Sequence, residues 1–146
     1  MATTVNVKTR SGLQTVASAR DLEWYADEPL DSGGTNTGPT AMEALAGALG
    51  SCMIITTELY ARRKEWPLEA MEVQIELERF NGADYPGYSG DSQYVHQVRE
   101  TVVLHGDHLT DDQRARLLEI TTKCPVRRVL TTPTFFVSAG EPVKEV

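Results

Sequence analysis

Between Pro39 and Leu59 the chain reads "PTAMEALAGALGSCMIITTEL", a run whose side chains are small or apolar at almost every position. Thr40 and Glu43 have capping-box spacing: the threonine hydroxyl takes a backbone N–H and the glutamate reaches back. A helix therefore starts near Thr40, with Pro39 in its first turn. Met42, Leu45, Leu49, Cys52, Thr56 and Leu59 recur at three- and four-residue intervals, which predicts an apolar stripe carrying Cys52. Ala41, Ala44, Ala46, Gly47, Ala48, Gly50 and Ser51 leave most other faces without bulk. A helix so bare of bulk is expected to be buried and closely approached. Arg62, Arg63 and Lys64 suit its negative C-terminal end, and Pro67 blocks continuation. The apolar run from Ala44 to Ile55 falls short of the ~20 residues that span a bilayer, so a core helix is expected and no membrane partner.

A helix of this kind needs a layer to pack on. "MEVQIELERF" at 71–80 sets Met71, Val73, Ile75 and Leu77 on one face and Glu72, Gln74, Glu76 and Glu78 on the other, the pattern of a half-buried strand. After the turn-rich "NGADYPGYSGDSQ", the segment "YVHQVRETVVLHG" returns as its partner, so the two form a hairpin with a long tip. Tyr85, Tyr88 and Tyr94 around that tip admit an apolar-lid reading as well as a plain turn. Upstream, "VNVKTR", "LQTVASA" and "DLEWYADEP" read as two or three strands, with a turn at Ser11 and Gly12, before the loop "DSGGTNTGP". Thr110 and Gln113 form a second capping box opening a helix "DDQRARLLEITTKC". Leu117, Ile120, Thr121 and Cys124 share one face of it, with Cys124 at its C-terminal end before Pro125. "VLTTPTFFVSAG" reads as a short connection and a last strand. A length of 146 residues suits one domain, 1–146.

The net charge of −7 argues against a non-specific grip on nucleic acid or anionic membrane, both of which need clustered Lys and Arg. The first residues, "MATTVNVKTRSG", have no apolar segment behind Lys8 and Arg10, so a cytoplasmic location is expected. Cys52 and Cys124 are too few for a disulfide framework. With His96, His105 and His108 they make no zinc spacing, so neither metal nor cofactor is expected and the pair is taken as reduced. The two cysteines are 72 residues apart, each on the apolar side of a different helix packed on the same sheet, so they are able to meet. Two readings stay open on pattern alone, since free cysteine is often only a small buried hydrophobe.

"GPTAMEALAGALGSC", followed by "LYARRKEWPLEAMEVQIE" and later by "KCPVRRVL", resembles the OsmC/Ohr family. There a helix carries P-x-E-L-L-x-A-L-G-x-C and a later segment reads C-P-V-x-R-x-L; "YADEPLDSGGTNTGP" also looks like that family's approach to the helix. The resemblance runs from about Asp21 to Val137. It implies an α+β fold with two long helices held against antiparallel sheets, assembled as an intertwined homodimer. It also implies thiol-dependent reduction of organic hydroperoxides, with hydrogen peroxide a further candidate, Cys52 being the peroxidatic and Cys124 the resolving residue. The chemistry is consistent with that division. A thiolate attacks a peroxide oxygen where a thiol hardly does, and because burial disfavours the thiolate, a cation is needed beside it. The sulfenic acid left at Cys52 condenses with Cys124 to a disulfide, and an external dithiol exchanges with it.

The cation is an arginine by this reasoning, permanently charged and able to donate to peroxide oxygens. Arg20 is the first candidate, because the family's arginine comes from the N-terminal β region, often across the dimer interface. Arg128 matches the arginine of C-P-V-x-R, and Arg127 is the weaker neighbour. The family's better-known hydroperoxide reductases place a glutamate ten residues before the peroxidatic cysteine; that position here is Met42, and Glu43 lies nine before. Nine residues turn roughly 900° on a helix, which sets Glu43 on the side away from Cys52 and makes a cap at least as apt a role as orienting an arginine. Met42 also motivates a rival reading, an OsmC-like domain that binds a small apolar ligand or senses redox state with little peroxidase activity.

Overall fold

The computed structural model describes residues 2–138. Its elements run β1 (Asn6–Ser11), β2 (Gln14–Ala19), β3 (Leu22–Ala26), α1 (Ala41–Arg63), β4 (Ala70–Asn81), β5 (Tyr94–His105), α2 (Asp111–Thr121) and α3 (Pro125–Thr131). The fold is α+β, with antiparallel sheets and a long central helix. The backbone divides into two compact units, one holding the residues up to Ala48 with Ile75–Glu100, the other Leu49–Gln74 with the residues from Thr101 onward.

In the first unit β1, β2 and β3 form an antiparallel sheet in sequence order. Val16 and Ala17 of the middle strand are buried, whereas every residue of β1 is exposed. β2 and β3 are joined through Arg20 and Asp21, with Ala19 paired to Leu22. Arg20 has φ 55, the left-handed conformation such a tight reversal requires. The loop that follows β3 is built around Asp27, 3 % exposed. Its carboxylate accepts from the Glu28 amide (2.8 Å), the Thr35 amide (3.1 Å) and hydroxyl (2.5 Å), and the Thr37 amide (3.2 Å) and hydroxyl (2.9 Å). The Thr35 hydroxyl bond, with the amides and hydroxyl around it, outweighs desolvation and holds Asp27 well below the usual carboxylate range. The Asp27 amide also donates to Pro39 O at 3.0 Å, so the loop closes where the helix begins. A Cβ at Gly34 would lie 1.9 Å from Glu28 O, which reserves that position for glycine.

α1 opens with the expected capping box: Thr40 N–H donates to Glu43 Oε2 (2.8 Å) and Glu43 N–H to Thr40 Oγ1 (3.2 Å). Pro39 lies just before the cap and not inside the first turn. The buried stripe differs from the expected one. Leu49, Met53, Thr57 and Ala61 are buried, with Gly50, whereas Met42, Leu45 and Leu59 are exposed and Cys52 is half-buried. With small or apolar residues on every side, three- and four-residue spacing is satisfied by more than one stripe, and packing selects one. Thr57 is accommodated because its hydroxyl donates to Met53 O at 2.9 Å. At 23 residues, with an 18-residue window of mean hydropathy 1.3, α1 is long and apolar enough to cross a membrane, which the run Ala44–Ile55 was not; 28 % of that window is buried.

In the second unit Leu109 and Leu117 pack on Ala61, with Tyr60, Trp66, Leu68 and Leu104 around them. The Thr110–Gln113 capping box is present, and Leu117, Ile120 and Thr121 are buried as their spacing predicts. The segment read as one helix through Cys124 is two: α2 ends at Thr121, and Cys124 is the N-cap of α3, with Pro125 in the first turn. Proline fits there because its missing N–H falls among the amides a helix start leaves unpaired. The last strand expected in 129–140 is absent over the described part. Residues up to Thr131 belong to α3, and 133–138 form no ladder, with Phe135, Phe136 and Val137 exposed. The end of that segment lies outside the described residues.

The hairpin loop between β4 and β5 folds on itself in the first unit. Tyr85 donates to Gln97 (3.0 Å), Ser92 N–H donates to Tyr88 Oη (3.2 Å), and Gly82 and Gly90 admit Ser92 O and the Tyr88 ring at closer range than a Cβ allows. His105 bonds Glu72 at 2.7 Å on the exposed side of the strands.

Candidate functional site

Cys52 stands in the middle of α1 and Cys124 at the cap of α3, both in the second unit, and the structure brings them together. Cys52 lies close enough to Cys124 to help push its thiol up. Cys52 is half-buried; Cys124 is 1 % exposed. The chain reaches this arrangement because Cys124 replaces the usual oxygen-bearing cap. Its Sγ accepts the Arg127 amide at 3.4 Å, and the next free amide of the turn, Val126, donates to Cys52 Sγ at 3.5 Å. One turn of backbone thus holds both sulfurs.

Burial pushes the Cys124 thiol up, against the pull of the Arg127 amide; the hydrogen bond and like charge of Cys52 push it the same way as burial. Burial thus favours the protonated form of Cys124. A thiolate at Cys52 would have the Val126 N–H as a donor, supplied by the same short segment that carries Cys124. The charge of Arg127 acts favourably on the Cys124 sulfur. Arg127 is half-buried and Arg128 exposed, so the arginine ranked as the weaker neighbour in the sequence is the more buried of the two. Thr122, Lys123, Cys124, Arg127, Arg128 and Thr131 line a hollow of about 350 Å³.

The other candidates belong to the first unit. Arg20 occupies the exposed β2–β3 reversal, and Glu43 is exposed in its capping box. The backbone donors at Val126 and Arg127 carried no sequence signal beyond C-P-V itself, since an amide is available at every position except proline. Asp27 was also missed, although an aspartate followed at eight and ten residues by Thr35 and Thr37 is a pattern able to knot a loop.

A protein family described as OsmC-like protein matches residues 34–138, a span that contains Glu43, Cys52, Cys124 and Arg128 and leaves Arg20 outside. No curated protein matches the sequence at a significant level. Among solved structures, an OsmC-like protein from Mycoplasma pneumoniae superposes with a TM-score of 0.70 at 14 % identity, covering 89 % of this chain and 87 % of that one. An organic hydroperoxide resistance protein OsmC from Legionella pneumophila gives 0.62 at 14 % identity, with 90 % of each chain covered. The organic hydroperoxide resistance protein OhrB of Bacillus subtilis gives 0.56 at 15 % identity, covering 90 % of this chain and 91 % of the other. At these identities the likeness is one of fold.

Proposed function

The chain belongs to the OsmC-like protein family, and from that premise we propose that it is a thiol peroxidase that reduces organic hydroperoxides through Cys52 and Cys124. The observation that carries the proposal is the meeting of the two thiols at the first turn of α3, where consecutive amides serve them, Cys52 half-buried and accepting the Val126 amide and Cys124 buried and accepting the Arg127 amide. In this reading Cys52 thiolate attacks a peroxide oxygen, the O–O bond breaks, and the alcohol leaves after taking a proton. Cys124 then attacks the sulfenic sulfur, forming the disulfide and releasing water. An external dithiol returns both residues to thiols. Arg128, Arg127 and Arg20 are the candidates for the cation that favours the thiolate, with no metal or cofactor needed for any step.

We further read the chain as a cytoplasmic homodimer. A reduced pair suits that compartment. Ile55 and Leu59 on α1 and Phe135, Phe136 and Val137 beyond α3 leave apolar surface that a second copy would cover.

The test is consumption of cumene hydroperoxide with dithiothreitol. Turnover well above background that Cys52→Ser abolishes supports the reading; background-level consumption unaffected by that substitution refutes it. The rival of redox sensing is favoured by Met42 standing where a glutamate is expected. It predicts ready disulfide formation with slow turnover.

A further inference from the structure

We propose that Cys52 and Cys124 make α3 a redox-responsive helix: with both thiols free its first turn is fastened by the two sulfurs, and the disulfide between them unfastens it. The inference rests on the thiol-pair reading above and adds a conformational output to its oxidised state.

The first support is the way α3 starts. Its N-cap is Cys124, whose Sγ accepts the Arg127 amide at 3.4 Å, and the Val126 amide donates to Cys52 Sγ at 3.5 Å. A helix start leaves amides without intrahelical partners, and an oxygen-bearing cap serves them whatever the redox state. The capping box of α2 is of that kind, with the Gln113 amide donating to Thr110 Oγ1 at 3.2 Å. In α3 both of these acceptors are sulfurs, and one oxidation consumes the two together.

The second support is the build of the helix itself. α3 has seven residues, none of them buried, and helices shorter than roughly 12–15 residues are marginal on their own. Val129 and Leu130 are exposed. At the C-terminal end the Thr131, Thr132 and Thr134 hydroxyls donate to Arg127 O, Arg128 O and Val129 O. Those contacts stay inside the segment and travel with it. The Val126–Cys52 bond, by contrast, joins α3 to α1.

Oxidation acts on both sulfurs in one step. Cys52 and Cys124 together give up two protons and two electrons, and the hydroperoxide leaves as an alcohol and water. A thiolate is a charged acceptor for an N–H, and the neutral disulfide that replaces it is a weaker one. The new bond also turns each Sγ toward the other sulfur and away from the amide it served. The Val126 and Arg127 amides then lose their acceptors together, and the first turn of α3 opens. Cys124, 1 % exposed with its thiol free, becomes reachable in the state that has a disulfide to exchange. A dithiol returns two electrons and two protons, and the turn closes again.

The experiment compares the full chain reduced with dithiothreitol and oxidised with diamide, so that it does not depend on peroxide turnover. Amide hydrogen exchange is followed residue by residue by NMR, with the disulfide verified by mass. Val126 and Arg127 are expected to exchange about fivefold faster in the oxidised protein, the effect of losing a cap, while the Gln113 amide is unchanged. Trypsin is expected to cut after Arg127 and Arg128 faster in the oxidised form, and reduction restores both readouts. Cys52→Ser and Cys124→Ser cannot form the bond within one chain, and their uncross-linked fractions after diamide are expected to show neither change. Equal exchange at Val126 and Arg127 in the two states, or the same acceleration in the serine variants, overturns the proposal. If the changes appear with diamide while cumene hydroperoxide forms no disulfide, the peroxidase reading falls and the switch stands. If cumene hydroperoxide is turned over and exchange is the same in both states, the switch falls and the peroxidase reading stands.

Discussion

The Val126 amide donates to Cys52 Sγ at 3.5 Å, tying the middle of α1 to the first turn of α3. Because the adjacent amide, Arg127, serves Cys124 in the same way at 3.4 Å, the two sulfurs are placed by consecutive peptide groups and not by side chains free to rotate. This separates the roles of the thiols. Cys124→Ser keeps an N-cap acceptor for α3. It is expected to form a Cys52 sulfenic acid after one equivalent of hydroperoxide, trapped by dimedone and seen as a mass increment. It makes no disulfide and does not turn over with dithiol.

The buried thiol offers a check by pH. With burial pushing Cys124 up from the ordinary value near 9, its alkylation by iodoacetamide is expected to keep accelerating at a pH well above that value, where a free thiol, by then almost wholly thiolate, has levelled off. The sign for stability follows. The folded state holds this proton more tightly than the unfolded state, so the contribution is complete below the unfolded pKa and is lost as pH rises through the folded one. Thermal melts of wild type against Cys124→Ser should diverge on the alkaline side, the wild type losing more.

Asp27 makes the opposite prediction at acid pH. Its folded pKa is depressed, chiefly by the Thr35 hydroxyl, so the stability it contributes is present above the unfolded carboxylate pKa, about 3.9, and is lost as pH falls below it. Asp27→Asn is expected to lower the melting temperature by several degrees at pH 7 and to flatten the acid limb of the stability profile. An unchanged acid limb would show that the loop is held by other contacts.

Glu43 distinguishes cap from catalyst. Glu43→Ala removes one half of the capping box and is expected to cost about 1 kcal/mol, whereas Glu43→Gln keeps a side-chain acceptor for the Thr40 amide and should restore most of it. A peroxidase rate that falls in the glutamine variant despite restored stability would place Glu43 in the chemistry.

Arg20 is tested by the residue its backbone prefers. At φ 55, glycine is accommodated more easily than arginine, so Arg20→Gly removes the guanidinium without straining the turn. Loss of kcat/KM with an unaltered melting curve would assign the cation to Arg20, and full activity would leave it to α3. Core packing gives a reference for comparison: Leu117, fully buried against Ala61 and Leu109, is expected to cost about 3 kcal/mol when cut to alanine, read from urea denaturation.

The local elements were largely legible in the sequence because they are set by neighbours. The Thr40–Glu43 and Thr110–Gln113 boxes act across three residues, and the alternation from Met71 to Leu77 is repeated often enough to mark a strand without help. The paired cysteine segments, read with their flanking residues, also led to the family. What escaped was whatever depended on a choice among equals. On α1 several stripes were apolar enough to bury, and only packing took Leu49, Met53, Thr57 and Ala61 while leaving Leu59 exposed. At Cys124 the sequence by itself determined a break, since Pro125 cannot continue a helix that lacks its N–H. That break is a beginning, because the Cys124 sulfur caps the turn that follows by accepting the Arg127 amide; what the spacing did not reveal is that the Val126 amide of the same turn meets Cys52, 72 residues away from Cys124. Hydrogen bonds within one turn are specified by sequence spacing, whereas the meeting of two sulfurs is specified by the tertiary packing that brings their helices together.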